Sequence, residues 1–207
     1  MALPPVIDNQ AWLFKVTKNQ SPDPEMSLCL LGFFLGTGLR TIEISRIQTE
    51  DIIRKDGRIN KSFEVRSEMP RTVYLVNPKL IKFIENYVSV RAVDGNHPDR
   101  FCGFEPTASF FTRSRYGEFK ILSKRSASDK VSYYSPSLNN YIKRLLRNGG
   151  VESPSVETGR RTFALKLKGR VDVPSIHKSL GNRDINTTKK LLATDPISMK
   201  QLAELAF

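Results

Sequence analysis

Two short stretches hold the side chains best suited to grip an anion. They are Thr37-Gly38-Leu39-Arg40-Thr41-Ile42-Glu43 and Glu157-Thr158-Gly159-Arg160-Arg161-Thr162-Phe163-Ala164. A guanidinium is planar, stays charged at any relevant pH and can donate two parallel hydrogen bonds to a pair of phosphate oxygens. The competing use of Arg40 is an ion pair with Glu43 at a helix start. Glu157, a carboxylate, can only repel a phosphate or pair with Arg160 or Arg161. A third stretch, Leu180-Gly181-Asn182, offers in Asn182 an uncharged donor. Nine residues later stands Leu191, an aliphatic side chain that cannot attack phosphorus. No tyrosine, serine or cysteine adjoins it, and no tyrosine follows Tyr141.

Charge points the same way. The 207 residues carry 33 Lys+Arg against 21 Asp+Glu, a formal net charge of +12. Residues 1–50 have 4 basic and 5 acidic side chains, whereas 101–150 have 9 and 3 and 151–207 have 10 and 6. The excess therefore lies in the C-terminal half, as a one-sided polyanion-binding surface requires, although a merely basic, soluble protein has the same sum. At 39% hydrophobic and 26% charged the chain reads as one globular domain, 1–207. Its longest apolar stretch, Met26 to Leu39, spans 14 residues, short of the roughly 20 a membrane span needs, and no signal peptide is expected. Cys29 and Cys102 make neither a disulfide framework nor a metal site, so no metal or cofactor is expected and Cys29 reads as a buried thiol. A reducing cytoplasm fits, with no membrane partner expected.

The elements that must position these side chains can be read from periodicity. Leu13 and Phe14 begin an apolar pattern that Lys15, Lys18 and Gln20 interrupt, and Ser21-Pro22-Asp23-Pro24 opens a helix over Glu25 to Gly36. Thr41 to Ile47 resumes helical spacing. Asp51 to Lys55 and Arg58 to Arg66 flank Asp56-Gly57, a hairpin signal, and Arg71 to Val76 supplies a third strand. Further helices run from Pro78 through Val88, from Pro136 to Asn148, over Thr162 to Lys168, Ser175 to Leu180 and Thr187 to Ala193. Residues 94–135 read as a long basic insertion, in which Arg113, Arg115, Lys120, Lys124 and Arg125 alternate with Phe110, Phe111, Tyr116 and Phe119. They read equally as a groove or backbone contact and as a solvated insert. Residues 196–207 form an amphipathic tail.

Taken in order, TGLR-x-x-E, RRTFA and LG-x5-TT resemble the catalytic domain of the tyrosine recombinase (phage integrase) family, whose pattern runs TGLR…HxxR…LGH…Y. The resemblance covers approximately Pro5 to Ala193. It implies a mainly α fold with a small three-stranded antiparallel sheet. It also places Arg40 and Arg160 on the two arginines that hold the scissile phosphate. Glu157 and Asn182 then fall on the family's two histidines, Met69 lies in the turn that carries its catalytic lysine, and Leu191 falls on the tyrosine nucleophile. The family's N-terminal DNA-clamping domain is not expected, since 39 residues precede Arg40.

The expectation is a catalytically inactive domain that binds double-stranded DNA in an accessory or regulatory role linked to a mobile element. Its phosphate-binding residues are Arg40, Arg160, Arg161, Arg66, Arg71 and Lys178. A second reading is an interaction module that docks on a partner recombinase or on its own copy through residues 198–207. A third is an integrase active only with residues supplied in trans.

Overall fold

The computed structural model describes residues 3–93, 95, 99–114, 117–126, 129 and 131–193. It is mainly helical, with small antiparallel sheets. At its centre lies α2 (Pro24–Gly36), in which every residue from Met26 to Leu35 is buried. A helix apolar on all sides needs neighbours on all sides. It has them in α1 (Gln10–Gln20), α5 (Pro78–Val90) and α7 (Thr158–Leu167). Prolines in the first turns of α2, α5 and α6 (Pro136–Asn148) lose no backbone hydrogen bond there. Cys29, inside α2, is buried and its thiol is pushed up by that burial.

After α2 the chain turns through Gly38, whose φ of +68° suits glycine alone, and enters the short helices α3 (Thr41–Ser45) and α4 (Thr49–Ile52). A Cβ on Gly38 would stand 2.8 Å from the Phe163 ring, so the turn also admits α7 closely. The Asp56-Gly57 turn is present, with Gly57 at φ +79°. The strand expected at 51–55 is reduced to one bridge, Ile53 to Ile59, because Gln48 and Asp51 form a capping box that starts α4 instead. Beside it, β1 (Ser62–Glu64) pairs antiparallel with β2 (Thr72–Tyr74), in the register Phe63 opposite Val73.

Residues 99–114 run back over the core. Phe104, Phe110 and Phe111 are buried in it, where Phe33, Phe110, Phe111 and Tyr87 stack and meet edge to face. The Tyr87 hydroxyl shares its one hydrogen between the Phe110 and Thr112 carbonyls, each at 3.1 Å, and buried Arg91 donates to Thr49 Oγ1 at 2.9 Å while its guanidinium covers the Phe104 ring. The short pair β3 (Thr112–Arg113) and β4 (Gly117–Glu118) precedes the hairpin β5 (Leu122–Arg125) and β6 (Val131–Tyr134), which is exposed along both strands.

The C-terminal layer comprises α7, α8 (Val173–Leu180) and α9 (Ile185–Leu192). Its own apolar cluster is small: Ala164, Ile176, Leu180, Leu191 and Leu192. Among the described residues, no helix is long and apolar enough to cross a membrane.

Candidate nucleic-acid interface

Arg40 is the N-cap of α3. Its backbone N–H donates to Glu43 Oε2 at 2.8 Å, closing a capping box, and its side chain reaches across to the loop after α8. There Nη2 donates to the Gly181 carbonyl at 2.9 Å and to Asn182 Oδ1 at 3.3 Å, while Nη1 meets Glu43 Oε1 at 3.3 Å. The side chain remains one-third exposed (33%).

Arg160 comes from below, one turn into α7, and is 2% exposed. Its Nε donates to the Gly38 carbonyl, Nη1 to Glu157 Oε2 at 2.8 Å, and Nη2 to both the Leu180 carbonyl and Asn182 Oδ1. Burial pulls its pKa below the ordinary arginine value; the Glu157 carboxylate opposes this and the neighbouring Arg40 charge adds to it. Arg40 and Arg160 thus converge on one oxygen, that of the Asn182 amide. Asn182 Nδ2 donates in turn to Thr188 Oγ1 at 2.9 Å, and His177 Nδ1 lies 2.9 Å from the same hydroxyl. Gly181, at φ +58°, ends α8 in the left-handed conformation, and a Cβ there would stand 2.4 Å from Arg71 Nη1.

Behind this pair lies a charge cluster. Arg71 holds Glu43 in a two-pronged pair at 2.9 and 2.8 Å and donates Nε to the Ser179 carbonyl at 2.8 Å. Burial alone raises the Glu43 pKa, but hydrogen bonds from the Arg71 side chain and the Arg40 backbone, with both positive charges, outweigh it and leave the carboxyl below its ordinary range. Three guanidiniums, of Arg40, Arg71 and Arg160, therefore face two carboxylates, of Glu43 and Glu157. The cluster keeps a cationic excess that suits an anion.

Two of the expected phosphate contacts are corrected by this geometry. Arg71 is buried and committed to Glu43 and Ser179. Arg161 is buried and donates to the Pro4 and Ala193 carbonyls, tying the N-terminal segment and the end of α9 to α7. Neither side chain is available to a phosphate at the surface. Arg66 is exposed but ion-paired with Glu50 and Asp51. Lys178 is exposed on α8, and Met69 is exposed in the turn between β1 and β2. Leu191 is 6% exposed, turned into the small apolar cluster of the C-terminal layer. Phe110, Phe111 and Phe119 are buried and present no stacking surface, while Lys120, Lys124 and Arg125 are exposed. Arg115, Tyr116 and the tail at 196–207 lie outside the described residues.

Sequence reasoning missed several partners. His177 and Thr188 are eleven residues apart, and only the TT motif hinted at Thr188. Arg183 pairs with Glu68 at 2.8 Å, linking the loop after Asn182 to the turn between β1 and β2. Arg46 lies over the exposed Tyr133 ring at 5.1 Å and so seats the β5–β6 hairpin against α3.

Arg40 from the TGLR turn and Arg160 from the second arginine box thus meet at the loop after α8. The profile of the phage integrase family matches residues 8–195. This chain belongs to that family. It is 25% identical over 184 residues to tyrosine recombinase XerC of Caldanaerobacter subterraneus subsp. tengcongensis, covering 87% of this chain and 44% of the relative. The chain thus spans less than half the length of that relative. Among solved structures, XerA recombinase superposes with a TM-score of 0.68 at 17% identity, over 99% of this chain and 62% of the other. XerH recombinase bound to a palindromic difH substrate gives 0.63 at 16%, over 100% and 53%. A lambda integrase dimer bound to a core site gives 0.60 at 10%, over 95% and 51%. At these identities the superpositions show the tyrosine recombinase fold.

Proposed function

We propose that this chain binds double-stranded DNA through its backbone phosphates without cleaving it, in an accessory or regulatory role linked to a mobile element. The observation that carries this reading is the contrast at the pocket. Arg40 and Arg160 converge on the Asn182 amide oxygen, with Arg40 alone of the two reaching the surface, whereas the residue nine positions past Asn182 is a leucine turned into an apolar cluster. The first arrangement grips an anion; the second leaves nothing there to attack it. The recombinase folds that superpose on this one include structures bound to DNA substrates.

Phosphate would enter at Arg40. Among the described residues, its Nε and one hydrogen of Nη1 have no protein acceptor, and the side chain is the accessible one of the pair. Arg160, wrapped by Gly38, Glu157, Leu180 and Asn182, sets the charge and shape of the floor. Exposed Lys178, and Arg66 once its ion pairs with Glu50 and Asp51 are exchanged for phosphate, would extend the contact. The β5–β6 hairpin adds Lys124 and Arg125 and the exposed rings of Tyr133 and Tyr134; a two-stranded ribbon is of a size the major groove admits. Phosphate contacts of this kind give affinity and strong salt dependence with little base specificity. This reading places the protein in the cytoplasm with the nucleoid.

Incubation with a nicked suicide duplex tests it, with samples divided between native and denaturing gels. The expected result is a salt-sensitive native shift and no protein–DNA adduct that survives denaturation. A surviving adduct would show that the chain, alone or with groups supplied in trans, carries out strand cleavage.

A further inference from the structure

A cavity of about 370 Å³ lies where α1, the C-terminal half of α2, the start of α5 and α7 meet. Phe14, Leu80, Phe83 and Phe163 line it, with the Phe14 and Phe83 rings tilted against each other at 5.1 Å. Four polar side chains stand among these apolar ones. Asn77 is spent on capping α5, where its Oδ1 accepts from Lys79 N and Leu80 N. Lys166 Nζ donates to Gln10 Oε1 at 2.6 Å, and Lys79 Nζ lies 4.3 Å from the centre of the Phe14 ring. No Asp or Glu lines the cavity, and neither lysine has a carboxylate partner among the described residues.

Gln10 is satisfied on one side only. An ammonium can only donate, so Lys166 fixes the amide oxygen toward itself and leaves Nε2 on the opposite pole. That Nε2 is buried and has no acceptor among the described residues. An unmet buried donor is costly, and an acceptor entering the cavity removes the cost. Partial burial, and then the nearby charge of Lys79, hold the Lys166 pKa below the ordinary lysine range. One negative charge between the two ammoniums relieves both effects.

The cavity therefore presents three donors, a net positive charge and aromatic walls, the composition of a site for an amphipathic anion. A bare inorganic anion would leave the phenyl walls unfilled. At ~30 Å³ for each water-sized group, 370 Å³ holds roughly twelve such groups, about the size of decanoate. We infer that this cavity binds a medium-chain monocarboxylate, whose head is taken by Lys79, Lys166 and Gln10 Nε2 and whose chain lies against Phe14, Leu80, Phe83 and Phe163. Gly36 keeps one wall open. It stands one turn beyond Gly32 on the same helix face, and a Cβ on it would meet nothing within 4 Å, whereas one on Gly32 would stand 3.0 Å from Leu80 and 3.1 Å from Phe83. The site uses neither Arg40 nor Arg160 and is independent of the phosphate reading.

Isothermal titration calorimetry of the full chain tests the inference, with sodium decanoate below its micelle concentration as the probe and decyltrimethylammonium as the cationic control of equal chain length. Decanoate should bind one-to-one, and the control at least about tenfold more weakly. Lys79→Met combined with Lys166→Met should weaken decanoate binding about tenfold, and Gly36→Leu, which carries a side chain toward the open wall, should weaken it by at least as much. No saturable decanoate isotherm in the wild type, equal affinity for the two amphiphiles, or wild-type affinity in the double lysine variant would each overturn the inference. Wild-type affinity in a folded Gly36→Leu would overturn the placement of the chain. Should that variant fail to fold, the lysine pair, which alters two exposed side chains, decides alone. None of these titrations contains DNA, so their failure is separate from that of the phosphate reading, which Arg40→Ala tests.

Discussion

The main core and the C-terminal layer are held together by different means. Around α2 the interior is aliphatic and aromatic, with Leu30, Leu31, Phe33 and Phe34 fully buried and Phe110 and Phe111 packed on them. The layer of α7, α8 and α9 has five buried apolar residues of its own. It is fastened instead by cations that donate to main-chain carbonyls: Arg71 to Ser179, Arg160 to Leu180, Arg40 to Gly181, Lys168 to Leu192 and Arg161 to Ala193. Those carbonyls lie at or just past the ends of α8 and α9, where intrahelical donors run out and positive charge is favoured. The basic residues of this half therefore serve two ends. Some are buried ties within the fold and others reach the surface, and composition cannot tell them apart.

Substitutions in the two regions should separate these means of stabilisation. The largest effect belongs to the core: Phe33→Ala should lower unfolding free energy by about 4 kcal/mol in a denaturant titration. Arg71→Met comes next, at about 3 kcal/mol, because it leaves the Glu43 carboxylate buried with a main partner gone. The same variant carries a pH signature. Glu43 has a folded pKa below its unfolded one, so its stabilising contribution is full above the ordinary carboxylate range and is lost as pH falls through the folded value. Arg71→Met should remove that acid-side loss, and Tm measured from neutral pH downward checks it. An unaltered acid profile would mean that Glu43 is not held by Arg71.

Leu191→Tyr should cost about 2 kcal/mol, since a larger ring with a hydroxyl must enter a small filled cluster. It should yield no covalent complex with a nicked duplex, because Met69, Glu157 and Asn182 stand where the resemblance places the lysine and the two histidines that move the protons. The smallest effect is expected at Arg66→Ala, within about 0.5 kcal/mol of wild type, as befits a side chain paired at the surface.

Much of the main core was legible because its helices are long and regularly apolar; α2, α5 and α6 lie close to where periodicity puts them. The first helix was not, since α1 buries only Leu13, Val16 and Thr17 and its polar residues break the pattern, while the Asn9 side chain caps it by accepting from the Trp12 N–H. The strand expected at 51–55 yielded to the Gln48–Asp51 capping box, a local signal easily overlooked beside a strong Asp-Gly turn. The burial of Phe104, Phe110 and Phe111 depends on Arg91 and Tyr87, partners too distant in sequence to be inferred from spacing. In the site, the motifs identified the arginines but not their exposure. Arg71 and Arg161 read as surface contacts because a basic residue beside a motif carries no mark of burial. The Asn182–Thr188–His177 chain, made of side chains on two helices, had no periodic signature at all.

The phosphate grip at Arg40 is tested most directly by the salt dependence of duplex binding. Anisotropy titrations across a series of salt concentrations, for wild type and Arg40→Ala at matched folded fraction, give the slope of log affinity against log salt. Loss of one phosphate contact should make that slope shallower by about 0.9 and weaken binding at every salt concentration. Identical slopes and affinities for the two proteins would contradict the account.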